Sequence, residues 1–394
     1  MSPVPRVPPG YVGPALFSYG FRPFFLAGAA WAAVAVLLWI LQWYGELSLP
    51  TAVPALDWHI HEMLYGYVPA VVAGFLLTAI PNWTGRLPVA GIPLVALFAV
   101  WIAGRLAMLV SAPIGSAPAA IVDFGFLLAV FGVALREVVA GRNWRNLRVL
   151  VVLAVLAVGN GVFHLEVIVH GAADYGIRIG IAATIGLIML IGGRIVPSFT
   201  HNWLARRGSA RLPQSFSRYD AQAIAFAAIA LVAWIIRPLS PVVGALLVGA
   251  GLLHLVRLAR WAGDRTLADR LVLILHVGYA FVPTGFLLTG TAALVPEWVP
   301  MTAGIHAWTV GAMGVMTLAV MTRASLGHTG SALVASRATE MIYASVVLSA
   351  VLRIMASFTY PGALVLIAAL AWIAGFGAFV VAYGPLLVRP RIRS

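Results

Sequence analysis

The chain contains no cysteine and no lysine, and only 9% of its 394 residues are charged. Without thiols there can be no disulfide, thiolate-ligated haem, iron–sulfur cluster or c-type haem attachment, so any metal must be held by histidine, methionine or carboxylate. The scarcity of charge, against a hydrophobic content of 62%, excludes a soluble domain. Apolar runs of about twenty residues, the length a helix needs to cross a bilayer, recur from end to end. The net charge of +13 comes entirely from arginine. It does not point to nucleic acid, because the arginines sit in short loops between apolar runs, where they orient helices and meet anionic lipid head groups. The Pro- and Gly-rich N-terminal stretch lacks a short apolar core followed by a small-residue cleavage site, so no secretory signal peptide is expected, and 1–23 reads as an N-terminal interfacial segment.

What is present is an all-α pattern. Proline, glycine and charge divide the chain into about twelve transmembrane helices, near 24–44, 58–80, 90–112, 116–140, 147–170, 176–198, 219–237, 241–261, 268–291, 299–322, 338–358 and 361–387. The connections are short and the longest polar loop spans 200–218, so the expectation is a polytopic helical bundle forming a single transmembrane domain over 1–394. Arg142, Arg145 and Arg148, then Arg206, Arg207 and Arg211, Arg257, Arg260 and Arg265, and Arg389, Arg391 and Arg393 fall on one side of this pattern, while Glu46, Asp57, Asp174 and Glu297 fall on the other. By the positive-inside rule both termini are cytoplasmic. Pro81-Asn82-Trp83-Thr84 and Pro197-Ser198-Phe199-Thr200 close two spans in similar fashion, a faint internal echo.

Histidine is the unusual component. This topology puts His59, His61, His164 and His306 toward the outer ends of their spans and His276 near mid-membrane, with His201 and His328 in cytoplasmic loops. One imidazole in a span is commonly just a hydrogen-bonding group between helices, the reading favoured for His170, His201 and His254. Several at depth mark a pathway or a bound group, because polar side chains there are expensive. Neutral imidazole also binds haem iron or copper without adding negative charge. His59 and His61 are two residues apart, about 200° around a regular helix, so both cannot face one site. Arg105, Arg178 and Arg353 fit a buried anion such as a haem propionate or, equally, pairing with Asp123, Glu166 or carbonyls. Those carboxylates and Glu62 fit a proton path.

The segments GFRPFFL (20–26), WHIHEMLYGY (58–67), GFLLTAIPNWTGR (74–86), GGRIVPSFT (192–200), LHVGYA (275–280) and HAWTVGAMGVMTLAVMTRASLGHTG (306–330) are spread along nearly the whole chain. Together they resemble the NnrS family. That resemblance implies a twelve-span bacterial inner-membrane protein containing haem, of b type, and copper, associated with denitrification and relief of nitric oxide stress. It offers His59, His61, His276 and His306 as metal ligands, and His164 joins them because copper needs about three nitrogen donors. Tyr279, one turn after His276, is a candidate to orient a ligand, and Glu62 to supply protons. Arg194 and Arg323 match family motifs and are candidates for cofactor binding or for a structural latch. The family's final motif reads HTGR, whereas Ser331 follows Gly330 here.

The expected function is therefore binding and reduction of nitric oxide, with membrane lipid and a small diatomic ligand as partners, no nucleic acid, and an electron donor the sequence does not name. Two alternatives stay open: a transporter relaying protons through histidine and glutamate, which Pro69 and Pro283 within spans permit, and a non-catalytic haem-based nitric oxide sensor or carrier.

Overall fold

In a computed structural model, residues 11–359 and 362–391 are described. Residues 1–10 of the expected interfacial segment and Arg393 lie outside the described residues. Among those described there are helices and no strand, and twelve helices are long and apolar enough to span a membrane. They are α1 (Phe21–Trp43), α2 (Ala55–Thr84), α3 (Ile92–Leu109), α4 (Ser116–Ala140), α5 (Trp144–His170), α6 (Tyr175–Ala205), α7 (Arg218–Ile236), α8 (Pro241–Ala259), α9 (Arg270–Leu294), α10 (Met301–Thr329), α11 (Arg337–Thr359) and α12 (Gly362–Val388). The protein is a multi-pass membrane protein. Only helices satisfy every backbone group within a single segment in hydrocarbon, so an apolar chain of this kind has no other open-ended solution.

Hydropathy misplaces three helix ends. α2, α6 and α10 run past their apolar stretches to Thr84, Ala205 and Thr329. Their final segments are polar but remain helical, and threonines there satisfy their hydroxyls on the carbonyl four residues back: Thr84 to Ile80 at 2.9 Å, Thr200 to Val196 at 2.8 Å and Thr329 to Ser325 at 2.7 Å. The expected loop at 200–218 is accordingly shorter, 206–217, and His201 and His328 lie on helices rather than in loops.

The described residues group into two compact units: those within Met1–Ala183, Met321–Ala332 and Phe376–Ser394, and those within Thr184–Val320 and Leu333–Gly375. The first is built on α1 to α5, with Phe24, Phe25, Trp58 and Phe126 in its interior. Its two chain ends are tied by Arg22, whose Nη1 donates to the carbonyls of Leu387 at 2.8 Å and Arg389 at 2.7 Å at the end of α12. In the second, α8 and α9 approach backbone to backbone at Gly244 and Gly290, where a Cβ on either would come within 2.8 Å of the other's carbonyl oxygen. Small residues permit such approach between membrane helices, where van der Waals packing drives association.

Candidate metal centre

The first unit holds a buried polar cluster assembled from five helices. Its origin is the HxH pair. As the spacing requires, the two imidazoles diverge: His59 stacks on Trp39 of α1 with ring centroids 4.2 Å apart, while His61 turns inward and is completely buried. Immediately after His61 the helix widens to π geometry over Glu62–Tyr67. Such segments insert extra residues into a helix and are frequent at functional sites. Here the widening is held from outside: Trp101 Nε1 donates to the Gly66 carbonyl at 2.9 Å, and Tyr65 donates its hydroxyl hydrogen to the Gly176 carbonyl at 2.6 Å. Gly66 has no side chain to obstruct α3, and a Cβ there would overlap the Arg105 guanidinium.

Behind His61 stands Glu62. Its Oε1 accepts from His61 Nδ1 at 2.9 Å, and its Oε2 accepts from Trp31 Nε1 at 2.7 Å and Arg105 Nη1 at 2.6 Å. In front of His61 stands Asp123 of α4. Three nitrogens converge on its Oδ2: His61 Nε2 at 3.1 Å, His164 Nε2 at 2.9 Å and Asn160 Nδ2 at 2.9 Å. Asp123 Oδ1 accepts from Arg105 Nη2. Asn160 and His164 lie four residues apart on α5, hence on one face, and Asn160 Oδ1 sits 3.2 Å from His61 Nε2.

The other residues singled out from sequence have separate surroundings. Arg178 pairs with Asp174 one turn earlier, and Glu166 accepts the backbone N–H groups of Asp174, Tyr175 and Gly176 at 2.9 to 3.0 Å, capping α6. Arg353 and Arg323 are half-buried, and Arg194 is exposed.

In the second unit, His276 Nε2 meets the Thr200 hydroxyl at 2.8 Å. Tyr279 is fully buried; its hydroxyl accepts from Arg257 Nη1 at 2.6 Å and lies 2.9 Å from His254 Nδ1. His306 Nδ1 donates to the Thr302 carbonyl at 2.6 Å, and another π segment, Ala307–Val315, begins directly after it.

Sequence reasoning missed several participants, among them Trp31, Trp101, Asn160 and Arg257. Asn160 carried a readable signal, one turn ahead of His164. Arg257 read as a loop arginine but is wholly buried, bonded to Asp220 at 3.2 Å, and nothing in its local sequence distinguishes it from the arginines around it.

The family model described as NnrS protein matches residues 15–391. The chain belongs to the NnrS family. A search of curated proteins finds no match. NnrS proteins bind metal or haem cofactors, and His61, Asp123 and His164 offer one donor atom each, all within 4.8 Å of one another.

This donor set fits a bare metal ion. With metal–nitrogen and metal–oxygen bonds of about 2.0–2.2 Å, neighbouring donors lie about 2.8–3.5 Å apart across right-angled to tetrahedral geometries; the His61–Asp123 and His164–Asp123 separations of 3.1 and 2.9 Å fall in that interval, and the two imidazole nitrogens lie within 4.8 Å of each other. Two imidazoles with one carboxylate suit copper or non-haem iron. The cluster does not fit a porphyrin between the two rings, because their centroids are 5.0 Å apart and both contact the same carboxylate oxygen. For haem, His306 has suitable chemistry: its Nδ1–H is committed to a carbonyl, the arrangement that orients a ring to coordinate through Nε2. His276 suits it less, since its Nε2 is engaged by Thr200 and its Nδ1 packs on Gly263.

Proposed function

We propose that this protein is a haem- and copper-bearing component of the bacterial inner membrane that binds nitric oxide and reduces it, with copper held by His61, His164 and Asp123 and haem by His306. The observation that carries the metal reading is the double engagement of His61. Both of its ring nitrogens face carboxylates, Glu62 on one side and Asp123 on the other. A neutral imidazole has one N–H and one lone pair, so both carboxylates are satisfied either by an imidazolium donating from both nitrogens or by a cation between one nitrogen and its carboxylate, and the second is the arrangement we propose. Glu62 holds the Nδ1 proton, which leaves Nε2 as the position for that cation.

The chain's own groups prepare the site in three ways. Glu62 fixes the tautomer and angle of His61 from behind, as carboxylates do for metal-bound histidines. Arg105 bridges Glu62 and Asp123, offsetting negative charge that would be costly in a membrane interior. Phe163, with its ring centroid 4.8 Å from that of His61, and Tyr65 at 5.6 Å pack an apolar wall against the imidazole. A bound metal and haem would supply the electron transfer and ligand affinity that nitric oxide reduction needs; the protein side chains lack both.

The arginine-rich loops support cytoplasmic termini and entry of nitric oxide from the opposite side. Metal analysis and optical spectra of the purified full-length protein test the reading. Copper and haem are expected together, with copper lost in H61A and H164A and the haem spectrum altered in H306A. A sample free of both metals yet active in vesicle uptake would instead select a proton-coupled transporter. Nitric oxide binding without turnover in the presence of an electron donor would select a sensor or carrier.

A further inference from the structure

We propose that Asn160 is the fourth ligand of the metal centre, donating through its side-chain carbonyl, so that the set is two imidazole nitrogens, one carboxylate oxygen and one amide oxygen. This rests on the metal reading above. Asn160 is fully buried on α5. Its Nδ2 donates to Asp123 Oδ2 at 2.9 Å, and this bond decides which end of the amide points where. Turned over, the amide would set its carbonyl against the carboxylate and its NH2 against the His61 nitrogen, losing an attractive contact and gaining a repulsive one.

In the observed orientation Oδ1 faces His61 Nε2 at 3.2 Å. While Nε2 carries a hydrogen, Oδ1 accepts it. When a cation takes the place of that hydrogen, Oδ1 is left facing the cation at a separation normal for adjacent ligands, about 2.8–3.5 Å. Both polar ends of the amide are then used, one on the metal and one on a carboxylate that also binds it. The amide also suits the surroundings: a second carboxylate would add charge in the membrane interior, whereas a neutral oxygen completes four-coordination without any.

The test uses full-length protein in detergent, stripped of metal and titrated with Cu2+, with pulsed electron paramagnetic resonance counting coordinated imidazole nitrogens. Wild type is expected to have two, and N160H three, because an imidazole at position 160 would enter the coordination sphere. N160A is expected to weaken Cu2+ in chelator competition by at least about tenfold and to change the copper hyperfine coupling. A residue that only supported the fold would not add a nitrogen to the metal. Two nitrogens in N160H together with wild-type affinity and spectrum in N160A would overturn the assignment of Asn160 and leave the His61–His164–Asp123 centre standing. If wild type takes up no Cu2+ with two nitrogens, or if H61A and H164A keep the wild-type signal, the centre itself is overturned and Asn160 with it.

Discussion

Arg105 is 3% exposed on its side chain and spans two carboxylates that are wholly buried, Glu62 and Asp123. A guanidinium suits this position because its planar fork presents several donors at fixed angles, which a point-like ammonium cannot do. Removing one partner of a buried ion pair typically costs about 3–5 kcal/mol, mostly through the charge left without compensation. R105M is therefore expected to lower stability by about that amount, with R105K in between, as read by thermal unfolding in detergent. An unchanged melting temperature in R105M would mean that the cluster contributes little to the fold. His61 and His164 were legible in the sequence because histidine is costly in a span, and Asp123 was legible as a partner for Arg105. Arg257 was not: its burial depends on Asp220 and Tyr279, which lie on other helices, and tertiary pairing of that kind leaves no mark on local composition.

At the scale of the element, the decisive feature is the π segment Glu62–Tyr67. Each residue advances an α-helix by about 100°, so removing one residue from the widened turn would let it return to α geometry and rotate His61 relative to the rest of α2. Deletion of Met63 is expected to abolish copper binding while the span still inserts. M63L, which preserves the count, is expected to retain it. Copper bound through two imidazoles in the deletion variant would show that the helix widening has no part in aiming His61. The spans themselves were largely legible, since membrane helices must be apolar for about twenty residues, and α4 begins and ends where Gly and charge predict. The π turns were not, because widening depends on outside partners such as Trp101 and Tyr65 rather than on apolar period. Those turns nevertheless recur in order: Glu62–Tyr67 in α2, Ile188–Gly192 in α6 and Ala307–Val315 in α10, at intervals of four spans.

For the whole molecule, the arginine distribution makes a claim about sidedness that can be examined directly, because the chain has no native cysteine and any thiol introduced would be the sole target of a maleimide. Ser209 lies between α6 and α7 beside Arg206, Arg207 and Arg211, whereas Ser48 lies between α1 and α2 beside Glu46. Cationic loops resist translocation and acidic ones contribute little to orientation, so these two loops should face opposite sides. S48C is expected to react with a membrane-impermeant maleimide in intact cells, with S209C reacting only after the membrane is permeabilised. Within the first unit, α2 enters on the Ser48 side and brings His61 into the bilayer soon after its start, and α5 carries His164 near its far end from the Arg145 and Arg148 turn. The same labelling thus bears on the route to the metal. Reaction at both sites in permeabilised cells but only at S209C in intact ones would invert the molecule and put the centre near the cytoplasmic face, where nitric oxide made inside the cell would meet it first.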